Sequence, residues 1–166
     1  MMIPIGYNAQ VESKEMEFIL PPDSAPTKRS MKESAEGRRL YDATAGHKTR
    51  SVLVLKSNKI VLCSLQVETL GARANNPIPM MIPIGYGAEC AREEIAFVFP
   101  PNSAPTKRII KEAVEGRRLY DATAGHKTRS VIVFKSNKVL LCGLQVKTLA
   151  ARINNPNTIE EKEDEM

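Results

Sequence analysis

The chain consists of one segment written twice. Residues 1–77 and 80–156 align without a gap at an offset of 79, and 54 of the 77 aligned positions are identical. A segment of this length can hold a small hydrophobic core of its own, whereas the shorter repeats of solenoid proteins depend on their neighbours. The sequence therefore predicts two tandem copies of one small domain, at residues 1–77 and 80–156, joined by a linker at residues 78–79.

The two copies differ most in one short segment and agree completely in another. Residues 8–20, NAQVESKEMEFIL, align with GAECAREEIAFVF in the second copy. Residues 36–52 and 115–131, in contrast, have the identical sequence EGRRLYDATAGHKTRSV. Core positions tolerate exchanges such as Leu53 for Ile132. A polar segment without any exchange indicates a function, a backbone angle required at its glycines, or a recent duplication.

Composition places the chain among ordinary globular proteins, with 42% hydrophobic and 26% charged residues. No apolar run approaches the roughly 18 residues of a membrane span, and the start lacks the layout of a signal peptide. Cys63 and Cys142 fall at equivalent places in apolar strand runs, and Cys90 has no counterpart. We therefore expect a cytoplasmic protein with core cysteines and no membrane partner.

The net charge of +5 hides an asymmetry between the body and the end of the chain. Residues 157–166 carry five acidic residues and one lysine, a charge of −4, so residues 1–156 carry +9. We expect an acidic disordered tail at residues 157–166 and a basic folded body. This distribution is typical of a protein that binds a polyanion.

Each copy has the pattern of a small α+β domain. A helix is predicted at 25–36, after Asp23 or Ser24 as the capping residue and before Gly37, with a counterpart at 104–115. Strands are predicted at 2–7 and 16–20, from Leu40, and in the hairpin SVLVL-KSNK-IVLCSL, and a short helix is predicted at 66–73. The order predicts a mainly antiparallel sheet with one central helix and a short C-terminal helix.

The sequence disfavours an enzyme. GHKT resembles the end of a phosphate-binding loop, but the first glycine of that motif is absent and the segment leads into a strand. Asp42 stands near a lone histidine without a Ser or Cys nucleophile signature, and is expected to cap a turn instead. Two histidines in the whole chain cannot form a His-rich metal site within one copy. We therefore expect no catalysis, no cofactor, no metal and no small-molecule substrate.

Basic residues surround the predicted helix and the polar loop. In the first copy they are Lys28, Arg29, Arg38, Arg39, His47, Lys48 and Arg50. Lysine and arginine side chains that neutralise phosphates supply sequence-independent affinity for DNA. The chain has no tryptophan and only 5% aromatic residues, which disfavours the stacking platforms that bind single strands. Duplex DNA is the expected partner.

The motifs resemble those of the bacterial RemA family, regulators of extracellular matrix genes. They are GY, PPDSAPTKR, DATAGHKTR and LQVxT, and the resemblance covers residues 5–73 and 84–152. It implies a small double-stranded DNA-binding regulator that assembles as a homo-oligomeric ring.

The resemblance also implies which residues bind DNA. Family members present two consecutive arginines followed by T-R in the loop where this chain has His47 and Lys48, so the resemblance implies contacts by His47, Lys48, Arg50, His126, Lys127 and Arg129. From the set of basic residues, we expect Lys28, Arg29, Lys107 and Arg108 to assist from the helices. A family proline needed for function matches Pro26 and Pro105. A functional arginine of the family falls on Glu15 and Glu94, a reversal that points to an altered subunit contact.

The predicted function is therefore transcriptional regulation through duplex DNA, with the DATAGHKTR loops of a ring contacting phosphates. The alternative is a ring-forming scaffold whose basic loops bind an acidic protein partner.

Overall fold

The computed structural model describes residues 1–75 and 81–155, so the predicted linker at 78–79 and the predicted acidic tail at 157–166 lie outside the described residues. The first repeat contains β1 (Met2–Gly6), β2 (Ala9–Glu12), β3 (Met16–Leu20), α1 (Ala25–Glu36), β4 (Leu40–Asp42), β5 (Ser51–Leu55), β6 (Ile60–Cys63) and α2 (Val67–Ala74). The second contains β7 (Met81–Gly85), β8 (Ala88–Ala91), β9 (Ile95–Phe99), α3 (Ala104–Glu115), β10 (Leu119–Asp121), β11 (Ser130–Phe134), β12 (Val139–Cys142) and α4 (Val146–Asn154).

The predicted fold class is confirmed: each repeat is α+β, with a central helix, a short C-terminal helix and mainly antiparallel strand pairs. The exceptions are β4 with β6 and β10 with β12, which pair in parallel. Because each of these short strands runs beside the second strand of a hairpin, it adds an edge to the sheet without changing its antiparallel centre.

The central helix begins as its sequence predicts. Ser24 has an extended backbone, and its hydroxyl oxygen accepts a hydrogen bond from the Thr27 N–H at 3.3 Å. Pro26 lies in the first turn, where a missing N–H costs nothing. Ser103 and Thr106 form the same cap on α3.

The helix also ends where predicted, but Arg38, and not Gly37, adopts the left-handed backbone angle that reverses the chain. Gly37 has a φ of −86°, which any residue can adopt. The left-handed angle belongs to Arg38, with a φ of 61°, and the Arg39 N–H then donates to the Ser34 carbonyl at 2.7 Å. Arginine in this position is strained relative to glycine, because its Cβ crowds the backbone there.

Strand β2 was not predicted, because Asn8–Glu15 lacks the β-branched run that marks a strand. A two-residue turn at Tyr7 and Asn8, with φ values of 51° and 69°, joins β1 to β2. Positive φ at both central positions matches the right-handed twist of a hairpin, and Tyr86 and Gly87 repeat it at 52° and 80°.

The chain folds into two compact units whose boundaries differ from those of the sequence repeats. The first unit comprises Met1–Pro83 and Gly87–Ala91, and the second comprises Ile84–Tyr86 with the residues from Arg92 onward. Strand β8, from the second repeat, therefore belongs to the first unit.

The first unit contains a six-stranded sheet in the order β4-β6-β5-β3-β8-β7. Strand β8 adds to the edge of β3 in antiparallel register, with Cys90 opposite Phe18 and Glu89 opposite Ile19. We call this pairing the internal seam. Strands β1 and β2 form a separate two-stranded sheet that packs on the same core.

The second unit contains a four-stranded sheet in the order β10-β12-β11-β9. Ala113, Ile109 and Ile110 of α3 pack against one face of it, on Val131 and Val139. On the opposite face, the Cys142 thiol lies 3.2 Å from the Ile84 carbonyl oxygen. Helix α3 and the β7–β8 turn region thus cover opposite faces of one sheet.

The cysteines are core residues, as predicted for Cys63 and Cys142. Both are buried, and so is Cys90. Burial raises the pKa of the Cys63 thiol to about 11, so this side chain stays protonated and behaves as a small apolar group.

No helix among the described residues combines the length and the apolar character needed to cross a bilayer.

The internal seam contains a partly buried carboxylate. Glu89 of β8 points at α2, where a Cβ on Gly71 would overlap its carboxylate. Burial, and secondarily the charge of Glu68, raise the pKa of Glu89 to about 7. Ionised Glu89 is therefore disfavoured in the folded state, so its contribution to stability is complete below pH 4.5 and is lost as the pH rises through about 7.

We expect the free energy of unfolding to fall by on the order of 2 kcal/mol between pH 5 and pH 8.5 on account of Glu89. Urea denaturation at several pH values measures this. Glu89→Gln should remove this dependence of the unfolding free energy on pH, because glutamine fills the same space without a charge. Glu36→Gln, at an exposed position on α1, is the control. Its unfolding free energy should depend on pH as that of the wild type does. A wild-type slope in Glu89→Gln would contradict the assignment.

Candidate nucleic-acid interface

Each repeat presents one polar loop between its short parallel strand and the following hairpin. We call residues 43–50 the first basic loop and residues 122–129 the second basic loop; their sequences are identical. The first follows β4 and leads into β5, and the second follows β10 and leads into β11. The structure therefore places the polar segment that did not diverge at the same position in both repeats.

An aspartate organises the start of each loop. The Asp42 carboxylate accepts hydrogen bonds from the Thr44 N–H at 2.8 Å and the Thr44 hydroxyl at 2.6 Å. These bonds lower the pKa of Asp42, because they stabilise the ionised carboxylate. Asp121 and Thr123 repeat both bonds at the same distances. The predicted turn-capping role of Asp42 is confirmed.

Two consecutive left-handed residues reverse the chain after the aspartate turn. Ala45 has a φ of 52° and Gly46 a φ of 83°. A Cβ at Gly46 would meet nothing within 4 Å, so the backbone angle, not lack of space, requires glycine here. The His47 N–H closes the turn on the Thr44 carbonyl at 2.9 Å.

An aromatic stack holds the top of each loop. The His47 ring lies flat on the Tyr7 ring, with centroids 4.1 Å apart and planes inclined by 7°. His47 Nδ1 lies 3.1 Å from the Thr44 carbonyl oxygen; since that oxygen can only accept, Nδ1 carries a proton and donates. Tyr86 and His126 form the same stack at 4.0 Å and 11°.

Sequence reasoning assigned His47 to DNA contact and did not connect it to Tyr7, 40 positions earlier. The signal available was weak: the GY pair and the loop are both identical between copies, but identity alone does not pair two segments. The stack occupies one face of the imidazole, so His47 positions the loop as well as lining its surface.

The loop cations lie on the surface of this framework. Lys48, Arg50 and Lys127 are exposed, and Arg129 is partly exposed. The Arg50 N–H donates to the Cys63 carbonyl at 2.8 Å, and the Arg129 N–H makes the matching bond at 2.9 Å to Cys142. These bonds anchor the backbone from which the guanidinium groups extend.

Within residues 1–75 and 81–155 the structure records no ion pair for Lys48, Arg50, Lys127 or Arg129. An exposed cation without an acidic neighbour keeps its full attraction for an external anion. The loops therefore present their positive charge to solvent.

The helix cations occupy a different face. Lys28, Arg29, Lys107 and Arg108 are exposed on α1 and α3. Helix α3 covers the sheet face opposite the segment that carries Tyr86. In the second unit, Lys107 and Arg108 therefore lie on a helix that covers the sheet face opposite the Tyr86 segment.

Arg39 differs from the other members of the predicted basic set. Its Nη1 donates to the Asn58 carbonyl at 2.6 Å, and Arg118 makes the same bond to Asn137 at 2.6 Å. Each arginine ties the strand after the helix to the following hairpin turn. Arg38, in contrast, is exposed.

A metal centre finds no support in the part of the chain that the structure describes, where no group of three His, Cys, Asp or Glu residues is placed to hold an ion. The chemistry of the loops is that of fixed cations on a rigid turn.

Comparison with known proteins agrees with the duplicated organisation. A family model described as extracellular matrix regulatory protein A-like matches twice, at residues 2–74 and 81–153. The last residue of each match lies within one residue of the end of a C-terminal helix, α2 in the first repeat and α4 in the second.

Several single-copy relatives are similar to half of this chain, and each is named provisionally as a regulatory protein. One from Thermodesulfovibrio yellowstonii is 42% identical over 82 residues, which is 49% of this chain and 96% of the relative. Another from Desulfatibacillum aliphaticivorans is 40% identical over 85 residues, 51% of this chain and 92% of the relative. A third from Bacillus cytotoxicus is 43% identical over 79 residues, 48% of this chain and 91% of the relative.

Nearly the whole length of each relative thus corresponds to one repeat of this chain. With both repeats matched by the same family model, the chain is a tandem member of the RemA-like family of regulatory proteins.

Proposed function

We propose that this protein is a cytoplasmic transcriptional regulator that binds double-stranded DNA, with the basic loops of a ring of chains contacting the phosphates. The observation that carries the proposal is the pair of identical loops, each fixed by an aspartate turn and an aromatic stack, with exposed cations. Membership of a family of regulatory proteins supports the regulatory part.

The rigidity of the loops favours binding. Ordering a flexible loop at an interface costs free energy, and a loop held beforehand by hydrogen bonds and a stack avoids most of that cost. Lys48 and Lys127 supply compact point charges, and Arg50 and Arg129 supply planar groups that can hold a phosphate with two parallel hydrogen bonds. Each loop therefore offers two complementary phosphate contacts.

One pair of loops makes too few contacts for tight binding. Neutralising phosphates releases counterions, and the affinity grows with each contact added. A ring would present two loops for every chain it contains, and linked weak contacts gain from a high effective concentration. Lys28, Arg29, Lys107 and Arg108 would then add contacts only where the duplex also reaches the helix face.

The first test removes the loop cations. The variant with Lys48, Arg50, Lys127 and Arg129 all changed to Ala should bind a duplex at least about 100-fold more weakly at low salt. Its plot of log affinity against log salt should be shallower by roughly 3 to 4 for each chain in contact, because each lost phosphate contact removes about 0.9 from the slope. Fluorescence anisotropy at several salt concentrations measures both quantities.

A control with the same loss of charge separates local contacts from the overall field. Lys32, Lys59, Lys111 and Lys135 are exposed and lie outside the loops, so changing these four to Ala should cost much less affinity. Equal losses in the two variants would mean that the loops are not the contact surface. Wild-type protein that binds no duplex, but binds an acidic protein, would favour a scaffold.

The second test keeps the charges and removes the stack. Tyr7→Leu with Tyr86→Leu should weaken binding about 3- to 10-fold, since an aromatic pair contributes roughly 0.5 to 1.5 kcal/mol to holding the loop. The salt slope should stay at the wild-type value, because the number of phosphate contacts is unchanged. Tyr7→Phe with Tyr86→Phe keeps the rings and should bind like wild type. A reduced slope in the Leu variant would show that the tyrosines do more than position the loop.

A further inference from the structure

Strand β9 is an edge strand of the sheet in the second unit. Strand β9 pairs with β11 on one side, and no strand among the described residues pairs with its other side. The corresponding strand of the first repeat, β3, pairs on both sides, with β5 and with β8. The two repeats therefore differ at one specific place, the edge that β8 covers in the first unit.

The open edge is apolar. Its sequence, Ile95-Ala96-Phe97-Val98-Phe99, contains no charged residue. Phe97 is 59% exposed, whereas Phe18 at the same position of β3 is 0% exposed beneath the internal seam. Natural sheets usually protect an edge with charges, proline or a bulge directed outward, since an unprotected edge pairs with other chains. This edge has the composition of a covered strand.

The strand that could cover it lies in the first repeat. Strand β2 aligns with β8, and among the described strands it pairs only with β1. In the internal seam Cys90 lies opposite Phe18 and Glu89 opposite Ile19. At the repeat offset these pairs correspond to Val11 with Phe97 and Gln10 with Val98.

We propose that β2 of one chain adds to the open edge of β9 in a second copy of this chain, in antiparallel register, with Gln10 opposite Val98 and Val11 opposite Phe97. We call this pairing the external seam. It gives the assembly step of the proposed function a defined surface and register. Backbone hydrogen bonds supply the pairing, and burial of Phe97 adds an apolar contact.

The external seam is a head-to-tail contact. Each chain has one donor strand, β2, and one acceptor edge, on β9, so association continues until the ends meet. In an assembly where internal and external seams alternate, β3 and β9 of every copy are covered. Closure into a ring leaves no copy of β9 open, and failure to close would produce a filament.

The divergence between the repeats falls on the strands that form the two seams. The most divergent segments, at residues 8–20 and 87–99, contain β2 and β3 in one copy and β8 and β9 in the other. The internal seam places Glu89 beside Gly71 and Glu68. The external seam would place Gln10 near Ala150 and Lys147, a different set of sizes and charges. Divergence is expected where one ancestral contact becomes two separate ones.

Cysteine cross-linking tests the register. Residues directly opposite in an antiparallel pair have Cα atoms about 4.5 to 5.5 Å apart, within the range that a disulfide spans. Gln10→Cys and Val98→Cys are introduced into separate chains, one of which carries a small tag, and the native cysteines are buried in the fold. After mixing, mild oxidation with copper phenanthroline and alkylation, non-reducing gels should show the mixed dimer.

The pattern of bands decides the outcome. The mixed dimer should form, and neither variant alone should cross-link to itself, because a donor strand meets only an acceptor edge. Absence of the mixed dimer, or equal cross-linking of either variant with itself, would overturn the proposed register.

Assembly mass provides the second measurement. Phe97→Glu places a charge on the open edge, and mass photometry should then show a loss of species larger than the 18.4 kDa chain. Val114→Glu is the matched control, since Val114 is 55% exposed on α3, and it should keep the wild-type mass. Circular dichroism checks that both variants are folded. Wild-type mass in Phe97→Glu would refute the external seam.

DNA binding distinguishes this proposal from the proposed function. Phe97→Glu should retain weak, salt-dependent binding through its two loops while losing assembly. The variant without the four loop cations should keep the assembly mass while losing DNA affinity. Assembly through the seam without any DNA binding would leave this proposal standing and remove the proposed function.

Discussion

The unmet hydrogen-bonding capacity of a strand edge is the constraint on which the rest of this structure depends. A strand inside a sheet needs partners on both sides, and β3 obtains its second partner from the other repeat. As a result the first compact unit includes β8, a strand of the second sequence repeat. Fusing two copies makes this seam intramolecular, and among the described strands it leaves β2 of the first repeat and the outer edge of β9 of the second repeat without the corresponding partners.

The basic loops depend on the same hairpins that form the seams. Tyr7 and Tyr86 lie in the turns of the β1–β2 and β7–β8 hairpins, and each supports the histidine of a loop. In each hairpin, pairing with another sheet involves a strand edge, and the turn contacts the basic loop. A change in how a hairpin docks would alter the position of the loop cations, so the proposed assembly and the proposed DNA binding share a structural element.

Much of the local structure could be predicted from the chain. Ser24 and Pro26 mark the helix start, and Asp42 marks the turn before the first basic loop, because each acts on groups within three residues. Strand β2 was missed because its turn uses Tyr7 and Asn8 in place of the usual Asn-Gly pair. Arg39 was taken for a surface cation, since its partner, the Asn58 carbonyl, becomes a neighbour only in the folded sheet.

By itself the sequence determined the duplicated domain, the α+β class, the helix boundaries and the basic character of the loops, because these follow from neighbours in the chain and from composition. The folded chain was needed to show that β8 covers β3, that β9 has one partner among the described strands and that His47 stacks on Tyr7. Backbone edges carry the same hydrogen-bonding groups whatever the residue, so side-chain patterns identify strands but do not name their partners.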